Sequence, residues 1–431
     1  MGVEAQALVQ RNAPAPFKLT YKLVLFFLFV YFARPEDWIP GLSYLHLAWV
    51  TGALAIVIFL TELGGAARRW PRECVYLFLL LGQMFLTIPF AVWRGGALQA
   101  TRAFANVVPL ILVISLAVNT VPRLRRILFW QVASMATIAA VAVVKFRHAG
   151  GRLEGVLNGY ANPNDFALAV VVALPICLAF MLRSRNTIAR LVWLGCIGVM
   201  TYAIVLSASR AGILAFGVAM CIALWYFAVK GRYKYLLTLI AGFAACALLF
   251  GGSELKLRYE AMAHPELDQK ASGSSEQRER LLRVSIKTTF EHPIVGVGPG
   301  NFAIVSGVWR VTHNTYTQIS SETGLPGFIL YMLILSCAWR NLSRVRRMIR
   351  GDTELRTFAI ALHASLTAFL FGSFFASEGY QYFTYFLFAY TTAVYQIAKH
   401  QSRKGTSVSP PQITQEEEFR EQPTEAAWSS V

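Results

Sequence analysis

Apolar stretches about as long as a bilayer is thick recur from one end of this chain to the other, and nothing else in it restricts the fold so severely. A hydrocarbon core about 30 Å across takes roughly twenty mostly apolar residues per helix. Runs near that length stand at 17–33, 42–62, 74–93, 103–119, 127–145, 165–182, 189–207, 211–229, 235–250, 323–340, 357–376 and 380–398. With hydrophobic residues at 56% and charged residues at 15% of the 431, little is left for a large soluble domain. The chain reads as an all-α polytopic membrane protein of about twelve transmembrane helices. Two places weaken the pattern: Lys18 and Lys22 shorten the first run, and Ser207 to Arg210 separates two runs that also read as one broken helix.

Positive charge flanking a membrane helix is retained on the cytoplasmic side. One set of turns collects Arg11, Lys18 and Lys22; Arg68, Arg69 and Arg72; Arg123, Arg125 and Arg126; Arg183, Arg185 and Arg190; Lys230, Arg232 and Lys234. Arg340, Arg344, Arg346, Arg347, Arg350 and Arg356 join it, then Lys399, Arg403, Lys404 and Arg420, so this side holds more than half of the 40 basic residues. Both termini are expected in the cytoplasm. The net charge of +17 is then a topology signal set in short juxtamembrane turns, and no nucleic-acid partner is expected.

The chain divides into a cytoplasmic tail over 1–16, helices one to nine over 17–250, a large outside loop over 251–322, helices ten to twelve over 323–398, and a polar cytoplasmic tail over 399–431 expected to be disordered. The first run lacks a small-residue cleavage site and reads as retained. Cys74, Cys177, Cys196, Cys221, Cys246 and Cys337 all fall in or beside apolar runs and read as packing residues. No Cys-x-x-Cys or paired-His spacing occurs, so neither a metal nor another cofactor is expected.

Several charges sit where the inside bias disfavours them. Arg34, Arg94 and Arg102 lie in short outside loops, where they either snorkel to lipid phosphates or attract an anionic ligand. Arg147 and Arg152 precede Glu154-Gly155 and Asn162-Pro163-Asn164-Asp165, in which Asn164 or Asp165 is placed to cap the next helix. The capped turn explains the asparagines and leaves Arg152 for an anion. Arg210, in Ser207-Ala-Ser209-Arg210-Ala-Gly212, has almost no carboxylate in the adjoining runs, and an unpaired cation at that depth points to a ligand. Within the long loop a helix from about Ser275 to Glu291 carries Arg278, Arg280, Arg283 and Lys287 among apolar residues and suits the outer leaflet. It is followed by His292-Pro293 and a glycine run through Gly296, Gly298 and Gly300. No βαβ unit surrounds those glycines, so they read as sites of close backbone approach to a substrate or to the membrane helices. His313-Asn314-Thr315-Tyr316 and Glu322-Thr-Gly324 close the loop.

In their order, spacing and membrane placement, Arg152-Leu-Glu154-Gly155, Asn162-Pro163-Asn164, Ser209-Arg210, the turn after His292-Pro293, and His313-Asn314-Thr315-Tyr316 with Glu322-Thr-Gly324 resemble the O-antigen ligase and polymerase superfamily. The resemblance covers roughly residues 145–335, and the long loop between helices nine and ten looks like the ligase branch. It implies a GT-C-like, metal-independent, inverting glycosyltransferase of a Gram-negative inner membrane with its site facing the periplasm. The donor would be an undecaprenyl-diphosphate-linked glycan and the acceptor lipid A-core, both reaching the site through the membrane lipids. The family's arginines map to Arg210 and Arg278; Leu282 stands where relatives often carry Trp, which leaves Arg278 and Arg280 both open. Its histidine maps to His313.

Arginine suits a departing diphosphate because its guanidinium stays charged and grips phosphate oxygens with paired hydrogen bonds. Arg210, Arg278 and Arg152 are the expected clamp, with Arg147, Arg280, Asn162, Asn164, Asn314 and Tyr316 as further binding residues. His313 reads either as the base that takes the acceptor hydroxyl's proton or as a group that orients the acceptor or donates to the diphosphate. Trp38, Trp93, Tyr160, Trp309 and Tyr380 stand near the outer ends, as sugar platforms or interfacial anchors. The competing readings are an O-antigen or exopolysaccharide polymerase, a protein O-oligosaccharyltransferase, and a transporter. A transporter is expected to carry ionisable groups at the midplane, whereas charge here gathers at one face.

Overall fold

The computed structural model describes residues 17–63, 70–145, 153, 162–231 and 269–406. Among them the chain is helical with no β-strand. The principal helices are α1 (Lys18–Ala33), α2 (Leu47–Glu62), α3 (Arg72–Thr87), α4 (Arg94–Ala105), α5 (Val108–Ala117), α6 (Val121–Lys145), α7 (Pro163–Arg183), α8 (Thr187–Ser207), α9 (Arg210–Leu224), α10 (Gln269–Glu291), α11 (Thr315–Met348), α12 (Glu354–Gly372) and α13 (Tyr382–Thr406). Helices stand at eleven of the twelve apolar runs. Among the described residues nine spans, α4 and α5 counting as one, are long and apolar enough to cross a membrane. The ninth run, 235–250, lies outside the described residues.

Several boundaries differ from expectation. The fourth run begins early, so Arg94 and Arg102 lie on α4 and not in a loop. The helix before Asp165 starts at Pro163 with Asn162 as its cap, in place of Asn164 or Asp165, because proline lacks the N–H that a first helical position leaves unused. The tenth helix starts at Thr315, not 323, and is broken at Gly324 (φ 73°). The last helix continues to Thr406, past the expected tail boundary at 399. Ser207 to Arg210 is a true break: Ala208 adopts φ 47° and Ser209 caps a new helix.

Contacts sort the connecting segments into two ends of the bundle. At one end the Tyr21 hydroxyl donates to Arg123 O at 3.0 Å, and Glu62 accepts from the N–H groups of Leu19 and Thr20. Arg125 forks onto Glu354 at 2.5 and 2.7 Å, Arg183 meets Asp352 at 3.2 Å, and Arg346 reaches the Tyr226 hydroxyl. At the other end the Val92 N–H donates to Val297 O at 3.1 Å and the Tyr382 hydroxyl to Ala103 O at 2.8 Å. The Thr315 N–H there donates to Ser373 O at 2.8 Å. The first set includes the basic residues Arg123, Arg125, Arg183 and Arg346.

α7 is the axial helix, buried around its whole circumference from Phe166 to Leu182. Lipid-soluble helices gain little from excluding water from one another, so close approach between small residues sets their association. α9 presents Ala211, Ala215, Ala219 and Ala223 on one buried stripe. A Cβ added at Gly212 would stand 2.7 Å from the Ala167 Cβ on α7. That closeness fixes Arg210, two residues earlier, at the start of both helices.

Candidate active site

Of the sequence-selected residues, Asn162, Asn164, Arg210, Arg278, His313, Asn314 and Tyr316 lie at the end of the bundle opposite the basic turns. Ser209 holds the first half together: its Oγ accepts from the Gly212 N–H at 3.1 Å and donates to Asn164 Oδ1 at 2.8 Å. Asn162 Oδ1 accepts from the Asn164 N–H at 2.9 Å. The starts of α7 and α9 are thereby tied, with half-buried Arg210 on the first turn of α9.

Helical register separates Arg278 from Arg280. On α10, Leu281, Ser285, Thr288 and Thr289 are buried and Arg280, Arg283 and Lys287 are exposed. Arg278, three residues before Leu281 and seven before Ser285, shares the buried face and is half-buried. Thr289 Oγ1 and Ser320 Oγ are 2.9 Å apart, which docks that face on the start of α11. The Arg278 guanidinium lies close enough to Arg210 that burial, and then the Arg210 charge, lower its pKa.

The glycine run serves the helices, the second of its two expected uses. The Val297 and Gly298 N–H groups donate to Ser321 O at 2.9 Å and Glu322 O at 3.0 Å. At Gly298 (φ 97°) an added Cβ would stand 2.4 Å from the Ala91 Cβ. At Gly324 it would stand 2.4 Å from Ile294 O, so the break in α11 and the turn after His292 are one interlocked unit. Glu322, wholly buried, accepts from the Phe302 N–H at 3.1 Å.

His313 belongs to a strained turn. Its φ is 52°, in the left-handed region that non-glycine residues rarely enter. Thr312 Oγ1 holds the turn, donating to Asn314 O at 2.8 Å and lying 3.0 Å from Ser377 Oγ. Asn314 caps α11, its Oδ1 accepting from the Tyr316 and Thr317 N–H groups at 3.0 and 3.1 Å, while its Nδ2 donates to Phe374 O at 3.3 Å. The Tyr316 hydroxyl donates to Leu370 O at 2.8 Å. Asn162, Asn164, Asn314 and Tyr316 thus spend polar groups on building the site. Burial, then Arg278, then Arg310, lower the His313 pKa to about 4, so its imidazole is neutral near pH 7.

Arg210, Arg278 and His313 therefore converge, and Arg310 joins them. Sequence reasoning did not single out Arg310; it stood among the many basic residues of the long loop. Among the described residues, the guanidiniums of Arg210, Arg278 and Arg310 have neither an ion pair nor a hydrogen bond. Clustered like charges without a counterion are unfavourable unless an anion fills the gap. Arg147, Arg152, Glu154 and Tyr160 lie outside the described residues. Of the aromatic candidates, Trp93 and Trp309 are exposed, Trp38 donates to Ala33 O, and the Tyr380 hydroxyl is buried. Lys145 lies 5.9 Å from the Trp38 ring. No group of three metal-ligating side chains occurs among the described residues.

A second cluster leaves no signal in the sequence. Glu378, in the turn between α12 and α13, is fully buried, its carboxyl lies beside that of Asp165, and among the described residues neither of its oxygens has a hydrogen-bond partner. Burial, and then the Asp165 charge, hold the Glu378 pKa well above the usual carboxylate range. Nothing in the sequence links two acids more than two hundred positions apart.

The family model described as O-antigen ligase matches residues 195–332, a segment that contains Arg210, Arg278, Arg310 and His313 and ends before Glu378. The match supports the O-antigen ligase superfamily, whose members are membrane glycosyltransferase-like enzymes that use lipid-linked glycans. No curated protein matches the chain.

Proposed function

We propose, from the premise that residues 195–332 carry the O-antigen ligase match, that the protein transfers a glycan from undecaprenyl diphosphate to lipid A-core at the periplasmic face of a Gram-negative inner membrane. The observation that carries this reading is the group of guanidiniums, without a partner among the described residues, at the end of the bundle away from the basic turns. With positive charge retained inside, that end faces the periplasm, where a lipid diphosphate and a lipid-linked acceptor both arrive sideways through the bilayer.

Attack of an acceptor hydroxyl on the anomeric carbon breaks the bond to the diphosphate, and the electron pair leaves with the bridging oxygen. Arg210 and Arg278, set in place before the anion arrives, stabilise that growing charge; one such preorganised donor typically lowers the barrier by about 3–4 kcal/mol. Arg278 fills the role in preference to Arg280 because the α10 register turns Arg280 outward. Arg310, at the lip, adds attraction for the anion. His313 is a neutral donor to a diphosphate oxygen: beside two arginines it is a weak base, and an anion bound between them restores part of its proton affinity. Single-step displacement inverts the anomeric centre, and the activated diphosphate supplies the driving force. No metal takes part in this scheme.

The test is transfer in detergent, with purified lipid A-core, purified lipid-linked glycan and a chelator. Ligation to the core is the expected outcome. Elongation of the lipid-linked glycan alone assigns a polymerase, and inactivity that a divalent metal relieves overturns the metal-free scheme.

A further inference from the structure

The outward end of the bundle holds charge of both signs, yet the signs are sorted. Arg210 and Arg278 lie beside each other, and Asp165 lies beside Glu378. Paired acids this close cannot both be ionised in a buried site, so one proton stays between them. No N–H or hydroxyl from other described residues reaches either Glu378 oxygen.

The pair also bridges the two halves of the site. Asp165 follows Asn164, which accepts from Ser209 just before Arg210. The Glu378 N–H donates to Thr315 Oγ1 at 3.0 Å, two residues after His313, and the Gly379 N–H donates to Gln318 Oε1 at 3.1 Å. Asp165, on the first turn of α7, is partly exposed; Glu378 is sealed behind it. Among the described residues the buried phenol of Tyr331 on α11 also faces Glu378.

We propose that Asp165 is the catalytic base of the transfer and that Glu378 is its positioning partner, which holds the shared proton. This rests on the reading of the protein as a glycan transferase. In the step, the acceptor oxygen bonds to the anomeric carbon while its proton passes to the free Asp165 oxygen. The anomeric carbon–oxygen bond breaks with its electron pair going to the diphosphate, whose charge Arg210 and Arg278 receive. The Asp165 proton then returns to solvent. Burial raises the proton affinity of such a pair above that of a free carboxylate, and a base tuned toward the working pH is both available to take a proton and able to release it. His313 faces the arginines and is left to the diphosphate.

The experiment is a pH series of kcat and donor KM on the purified full chain, with lipid-linked glycan and lipid A-core. Asp165→Asn is expected to lower kcat by about 10²–10⁴-fold with donor KM nearly unchanged. Glu378→Gln is expected to lower kcat less and to move the acid limb of the profile, and Glu378→Asp is expected to recover activity with a displaced limb. Undecaprenyl diphosphate binding and thermal unfolding of each variant check that the arginine site and the fold are intact. Parental kcat and an unchanged pH profile in Asp165→Asn overturn the proposal while leaving the transferase reading in place. A parent protein that binds the lipid diphosphate yet transfers nothing to any acceptor overturns both.

Discussion

Ser209 donates its hydroxyl hydrogen bond to Asn164 Oδ1 at 2.8 Å while accepting one from the Gly212 N–H. One side chain therefore caps α9 and ties it to the start of α7, and Arg210 inherits its position from both bonds. Ser209→Ala removes the cap and the tie together. A lost cap costs about 0.5–2 kcal/mol, so the expected result is a lowered Tm and slower transfer, with Ser209→Thr keeping more of both.

The two candidate arginines of α10 are separable by substitution. Arg278→Ala is expected to slow transfer by about 10²–10³-fold, and Arg280→Ala far less. Arg278→Lys should recover only part of the rate, since an ammonium cannot fork onto two phosphate oxygens. Equal losses at 278 and 280 in a kinetic comparison would show that the register argument misassigns the clamp.

His313 gives a pH signature with a definite sign. Its pKa is lowered from 6.5 to about 4, so between those values the unfolded chain binds a proton that the folded chain does not. The stabilisation is full above the ordinary value and is lost as pH falls through about 4. Arg278→Ala removes one cause of the lowering, and the His313 titration, followed by NMR, should move up toward 6.5. Bound undecaprenyl diphosphate should move it the same way.

Gly324 is a backbone requirement. With φ 73° and a would-be Cβ 2.4 Å from Ile294 O, Gly324→Ala is expected to destabilise by about 1–3 kcal/mol or more and to loosen the His292–Asn301 turn. Faster proteolysis in that turn and a lower Tm are the measurements.

The helical spans were legible because an apolar run of about twenty residues has little use apart from crossing a bilayer. The ends of the bundle were legible because Arg125, Arg183 and Arg346 repeat one charge rule. Arg210 stood out as a cation between apolar runs, and His313 as a loop histidine among polar neighbours. Arg278 could be chosen over Arg280 only once Leu281, Ser285 and Thr289 showed which face of α10 is buried. The cap is Asn162 rather than Asn164 or Asp165 because Pro163 starts the helix, a local competition that composition does not resolve. Glu378 was invisible for a different reason: alone in a short turn it is an unremarkable acid, and its meaning comes from Asp165, brought to it only by the packing of the folded bundle.

Arg210, Arg278 and Arg310 meet no counterion among the described residues, and that has a practical side. A cluster of that kind attracts whatever multivalent oxyanion the solvent offers, so phosphate or sulfate in a purification buffer is expected to compete with the proposed lipid diphosphate. Rates taken in such buffers are expected to fall below those in chloride with a zwitterionic buffer, which is the cleaner medium in which to compare variants.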